Sequence, residues 1–233
     1  MISYCDMYGR LGNILFSIYT TFYYCYNRNI SYDNIIFCKD MLSPNYTSKY
    51  LDNILINVKK YFVKKDYFLE KTKNNKKVKF NNNLNDLDNI TFIDYNWYYP
   101  IDIVFFNDLF YNKELFNSVL NVLNDKYKSF KDKIAIHIRR GDFVTNEYFS
   151  KYVLDIDTIN KIVEDYNGDC IIFSDDISWC KENITNNKCI FVDDDLNDWQ
   201  SLILMSCCKE VKDNSGSTFS YIAKIFNTKY NNI

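Results

Sequence analysis

The residues with the most chemistry to offer stand together at His137-Ile138-Arg139-Arg140-Gly141-Asp142, at the end of the apolar run that starts at Ile134. Two adjacent guanidiniums stay charged at any working pH and match the oxygens of a diphosphate bidentately. At the carboxyl end of a strand they would offset the negative charge that builds on a leaving nucleoside diphosphate. Asp142 can accept hydrogen bonds from a base or a sugar, or orient one of the arginines. The alternative is a charged turn around a satisfied histidine.

Three further clusters are candidates. Asn214-Ser215-Gly216-Ser217-Thr218-Phe219-Ser220 opens a predicted helix with small hydroxyl residues and a glycine. Free N–H groups and the helix dipole favour an anion there, although an ordinary N-cap would look the same. Ser174-Asp175-Asp176 offers carboxylates that could pair with the adjacent N–H donors of guanine, or simply cap a helix. Asp193-Asp194-Asp195 has the shape of an Asp-x-Asp metal motif, against which stands a solvated acidic turn. Gly9-Arg10-Leu11-Gly12-Asn13 gives a glycine-lined turn at a helix start without full dinucleotide or P-loop spacing.

These clusters need a scaffold, and the second half supplies one. Strands are predicted at 134–138, 170–173, 189–192 and 210–212, alternating with helices. One helix is capped by Asp157 and carries Ile159, Ile162, Val163 and Tyr166; others run through Trp179, over Leu196–Met205 and over Phe219–Phe226. Such alternation, with continuously apolar strands, implies a parallel, doubly wound sheet that binds ligands at its carboxyl edge.

The first half is less regular. A strand near Ile2–Cys5 precedes a long apolar helix, and Lys71–Asn83 reads as a polar, mobile surface loop. Leu115, Val119, Val122, Leu123 and Tyr127 suggest an amphipathic helix before a boundary near Phe130, which gives halves 1–130 and 131–233.

Composition narrows the field. The net charge of −2 leaves no basic footprint for nucleic acid. Eight scattered cysteines without a Cys-x-x-Cys pair, and a single histidine, argue against structural zinc. The opening residues lack the basic flank and apolar run of a signal peptide. The apolar stretch Ile14–Tyr26 is too short to span a bilayer, so a cytoplasmic protein with reduced thiols is expected. Aromatic residues reach 18%, but tyrosines recur everywhere and do not by themselves mark a carbohydrate site.

Taken in order, these segments resemble the α-1,2-fucosyltransferases of glycosyltransferase family 11. Tyr8–Asn13 is similar to that family's Gly-x-Leu-Gly-Asn turn, and Ile136–Asp142 to the His-x-Arg-Arg-x-Asp motif of α-1,2- and α-1,6-fucosyltransferases. Ile172–Lys181 and Leu204–Ser220 resemble its later motifs, with one extra residue around Gly216. The resemblance implies a GT-B-like α/β architecture of two Rossmann-like halves with parallel sheets, the N-terminal half on the acceptor side. It implies metal-independent, inverting transfer of fucose from GDP-fucose to a glycan acceptor, with no cofactor.

Carried onto this sequence, Arg139 and Arg140 would contact the diphosphate, and His137 with Asp175, or Asp176 in its place, would lie near guanine. Gly12, Asn13, Asn214, Ser217, Thr218 and Phe219 complete the donor set; Trp97 and Tyr98 could stack on the acceptor or pack in the core. Arg139, Asp142 and Glu147 are the catalytic candidates, Glu147 as general base. The competing readings are a metal-dependent sugar transferase using Asp193–Asp195 and an inactive sugar- or nucleotide-binding protein.

Overall fold

The computed structural model describes residues 1–4, 10–42, 47–79, 89–93, 101–212 and 216–230. The chain forms two compact units, Met1–Asn112 and Lys113–Ile233. The break falls before the predicted boundary at Phe130, because the helix Lys113–Leu123 packs into the second unit, where Phe116 meets Phe226 edge-on at 5.5 Å.

The first unit holds strands β1 (Ile2–Tyr4), β2 (Ile35–Cys38), β3 (Phe62–Val63), β4 (Lys76–Val78) and β5 (Ile90–Phe92). They form one parallel sheet in the order β3-β2-β1-β5-β4. Helices α1 (Leu11–Asn27), α2 (Thr47–Leu51), α3 (Lys65–Thr72) and α4 (Ile103–Phe110) accompany it. The helix α1 is apolar nearly all round and correspondingly buried, which is the signature of a core helix. Asp102 caps α4 by accepting from Phe105 N at 3.0 Å, and its own N–H donates to the Tyr19 hydroxyl of α1 at 2.8 Å.

The predicted mobile loop over 71–83 is corrected in part: Lys76–Val78 is an edge strand. Asn75 fixes it, donating through Nδ2 to Ile90 O and Thr91 Oγ1 at 3.0 Å and to Met1 O at 3.2 Å. Exposed lysines on such an edge discourage pairing with another chain.

The second unit carries β6 (Ile134–Ile138), β7 (Cys170–Ser174), β8 (Ile190–Phe191) and β9 (Glu210–Lys212), all parallel, in the order β8-β7-β6-β9. Its helices are α5 (Lys113–Leu123), α6 (Gly141–Thr145), α7 (Ile156–Asp165), α8 (Ile177–Asn183), α9 (Asp198–Ser206) and α10 (Thr218–Tyr230). Strand alternation divides the core. Ile134, Ile136 and Ile138 of β6 join Ile159 and Val163 of α7 and Ile177 and Cys180 of α8 in one cluster. His137, of opposite parity, turns to the other face and meets Phe219 of α10.

Asn227, buried in α10, donates to Ser206 O at 2.9 Å and Cys208 O at 2.7 Å, satisfying carbonyls that the end of α9 leaves without a helical partner.

Two local expectations are corrected. The cap of α7 is Asp155, whose backbone is extended and whose carboxylate accepts from Thr158 N; Asp157 sits inside the first turn. The buried face of α5 is Phe116, Val119, Leu120 and Leu123, while Val122 is 73% exposed. Tyr127 lies beyond that helix, buried, with its hydroxyl accepting from Asp193 N at 3.1 Å.

Candidate active site

The carboxyl ends of β6 and β7 bring the arginines and the aspartates together. Parallel pairing sets Ile138 beside Ser174, so the residues that follow each strand emerge side by side. Ser174 locks the junction: its hydroxyl donates to Ile138 O at 2.8 Å and accepts from Asp176 N at 3.0 Å.

Arg139 is buried and held by two carboxylates. Its Nη1 donates to Asp175 Oδ2 and its Nη2 to Asp142 Oδ1, while its guanidinium lies 5.0 Å from the Phe143 ring centre. Arg140 donates its backbone N–H to Asp175 Oδ1 at 2.9 Å and its Nε to Asp176 Oδ2 at 3.3 Å. Its guanidinium stacks on Trp179 at 3.4 Å, an arrangement that suits the planar cation. The two arginines are therefore preorganised, and three carboxylates face them. Of the two that hold Arg139, Asp142 is the more exposed, its side chain 61% open to solvent against 14% for Asp175.

Of the two readings of the Ser174-Asp175-Asp176 cluster, the helix cap is seen at Asp176, and Asp175 meets arginines. Asp176 caps α8, accepting from Trp179 N at 3.4 Å, and Asp175 is taken up by the arginines.

The start of α10 adjoins this cluster through β6. His137 is buried, its ring 5.4 Å from that of Phe219 and tilted by 41°. Ser217 Oγ accepts from Phe219 N at 3.3 Å, and Gly216 enters the helix with φ +58°, a conformation that side chains with a Cβ disfavour. The positive end of the α10 dipole thus stands on the same sheet edge as the arginines.

Glu147 is exposed in the turn after α6, where its carbonyl accepts from Ser150 Oγ at 3.1 Å. Gly12 and Asn13 lie in the first turn of α1, in the first unit. Trp97, Tyr98 and Asn214 lie outside the described residues.

The acidic segment is engaged by lysines. Asp193 accepts from Lys181 at 2.9 Å and pairs with Lys126 at 3.5 Å; Asp195 pairs with Lys126 at 2.8 Å. These neighbours, Lys181 first, hold the Asp193 carboxyl below its usual range. Among the described residues no group of three His, Cys, Asp or Glu is placed to hold a metal, and no helix is long and apolar enough to cross a membrane. Seven described cysteines are buried and free, and burial pushes the thiols of Cys25 and Cys207 up to about 12.

Sequence reasoning missed Trp179 and Phe143 as partners of the arginines. The available signal was an aromatic residue four positions after Arg139 and another three after Asp176, on the helices that begin at those strand ends.

Fold and site together define a parallel α/β protein with an arginine pair and three carboxylates gathered at the carboxyl edge of its second sheet. The model of glycosyl transferase family 11 matches residues 5–231, and the chain belongs to that family. The O-antigen biosynthesis glycosyltransferase WbnK of Escherichia coli is 32% identical over 125 residues, a match that spans 47% of this chain and 41% of that protein. A crystal structure of POFUT1 in complex with GDP aligns at a TM-score of 0.41 and 11% identity, covering 99% of this chain and 72% of that one.

Proposed function

We propose that this chain transfers L-fucose from GDP-β-L-fucose to a hydroxyl of a glycan acceptor, O2 of a terminal galactose, with inversion and without a metal. The observation that carries the reading is the braced Arg139–Arg140 pair beside the start of α10, in a chain of glycosyl transferase family 11.

The diphosphate displaces Asp142 from Arg139 and takes its place, while Asp175 stays and keeps the guanidinium aimed. As the bond between fucose and the β-phosphate oxygen breaks, charge grows on the diphosphate. A donor fixed beforehand by Asp175 stabilises that charge without reorganising. The Arg140 guanidinium, stacked on Trp179, and the N–H groups at the start of α10 supply the rest. Arginine here fills the role a divalent cation has in other transferases, whereas Asp193 and Asp195 are already matched by Lys181 and Lys126. Glu147 removes the proton of the acceptor hydroxyl.

The test is thermal melting with GDP, GDP-fucose, GDP-mannose and UDP-galactose, each with a chelator. A ligand at 100 times its Kd adds about 2.7 kcal/mol, or roughly 5–10 °C for a chain of this size. Stabilisation by GDP and GDP-fucose but not by UDP-galactose is expected. No shift with any guanine nucleotide would overturn the donor assignment.

A further inference from the structure

Four aromatic rings follow the arginine pair within the second unit. Phe143, beside the Arg139 guanidinium, stacks on Phe149 with centroids 4.9 Å apart and planes 11° from parallel. Phe149 meets Tyr148 edge-on at 5.1 Å. Tyr152 completes the group at the entrance to α10, where a Cβ built on Gly216 would lie 3.9 Å from its Cδ1. Lys151 joins the two tyrosines, its Nζ 4.6 Å from the centre of Tyr148 and 5.0 Å from that of Tyr152.

The phenylalanines are partly buried and act as a footing. The tyrosines are open: Tyr148 is 66% exposed and Tyr152 43%. Nor is the segment loosely held. Asn146 Oδ1 accepts from Tyr148 N at 2.9 Å and from Phe149 N at 3.2 Å, and the chain then enters a 3-10 turn over Ser150–Tyr152. Exposed rings on a fixed backbone, linked through Phe149 and Phe143 to Arg139 and set beside Gly216 at the entrance to α10, are placed to meet a substrate.

We propose that Tyr148, Lys151 and Tyr152 form an acceptor subsite on which a pyranose ring of the glycan stacks beside the leaving diphosphate. The proposal rests on the reading of the chain as a fucosyltransferase. A pyranose presents a face of C–H groups that packs on an aromatic ring, and its hydroxyls accept from the tyrosine O–H and the lysine ammonium. Guanine suits the platform less well. Its N–H edge needs acceptors, and Lys151 offers only donors. Bound bases and small ligands are also largely enclosed, whereas a glycan whose further sugars trail into solvent needs one open face.

The test compares wild type with Tyr148→Ala, Tyr152→Ala, the double variant and Tyr148→Phe. The readouts are GDP release with lactose and the methyl glycosides of galactose, glucose and N-acetylglucosamine, and the melting shift with GDP-fucose. Both tyrosines are exposed, so wild-type melting temperatures are expected without ligand. Each alanine variant should raise the acceptor KM by roughly three- to tenfold, the value of one aromatic contact, and leave the GDP-fucose shift unchanged. Tyr148→Phe keeps the ring but loses the hydroxyl donor, so its acceptor KM should lie between those of wild type and Tyr148→Ala. An unchanged acceptor KM in the double variant would overturn the subsite. So would a smaller GDP-fucose shift, which would hand the platform to the nucleotide. Wild type that binds no GDP-fucose, or transfers to no acceptor, is a separate result: there the transferase reading itself fails, and the subsite with it.

Discussion

Asp175 grips Arg139 through one carboxylate oxygen and the peptide N–H of Arg140 through the other, at 2.9 Å. One side chain from the end of β7 therefore sets both the guanidinium and the backbone that follow β6. Such a residue positions the arginines without having to touch the substrate.

The first prediction follows. Asp175→Asn keeps the shape but loses the charge-assisted grip. kcat/KM should fall about 10²–10³-fold, as when a preorganised donor is lost. Stability should drop by about 1–3 kcal/mol. If Asp175 aims the arginines, the variant loses affinity for GDP and for inorganic diphosphate alike. If it reads guanine, only GDP suffers. Melting shifts with the two ligands separate these outcomes.

Glu147 is exposed and follows the arginines on the segment that carries the aromatic platform. General-base catalysis contributes about 10²–10⁴-fold, so Glu147→Gln should lower kcat by that order while the GDP-fucose melting shift is retained. Near-normal turnover in this variant would point to a dissociative path with little base assistance.

Asp193 and Asp195 are matched by Lys181 and Lys126. Asp193→Asn with Asp195→Asn should leave turnover in the presence of a chelator within about twofold of wild type, as expected for a surface ion pair. A collapse of activity that manganese or magnesium restores would revive the metal-dependent reading.

A fourth prediction concerns pH. The Asp155 carboxyl lies below its ordinary value of 3.8 because it accepts from the backbone N–H and then the hydroxyl of Thr158. With the folded value depressed, the cap's contribution is full above the unfolded value and is lost as pH falls through the folded one. Asp155→Ala should lower the melting temperature by about 2–4 °C at neutral pH. That difference should shrink as the pH drops below 3.8, whereas Asp155→Asn, also a good cap, should show little of this dependence.

The second unit was legible because its two central strands are long enough to read as uninterrupted apolar runs. Ile134–Ile138 and Cys170–Ser174 each bury four or more residues in succession, and each is followed directly by charged residues. The first unit hid its sheet. The strands Phe62–Val63, Lys76–Val78 and Ile90–Phe92 are two or three residues long, and Lys76 and Lys77 have no apolar pattern at all. Their order comes from pairing and from Asn75, which local sequence does not announce. In the site, the chemistry of Arg139 and Arg140 was readable, but the partners of their guanidiniums were not. That Asp175 would face an arginine followed from the register of Ile138 against Ser174, a non-local fact.

Asn227 lies nine residues along α10 from Thr218, about 14 Å down the helix axis. Its amide rivets that far end to Ser206 and Cys208, and near the other end Phe219 packs on His137 of the strand that leads into the arginines. The helix thus works as a lever with one fastened end. A change at Asn227, nine residues from the start of the helix, should register as weakened nucleotide affinity.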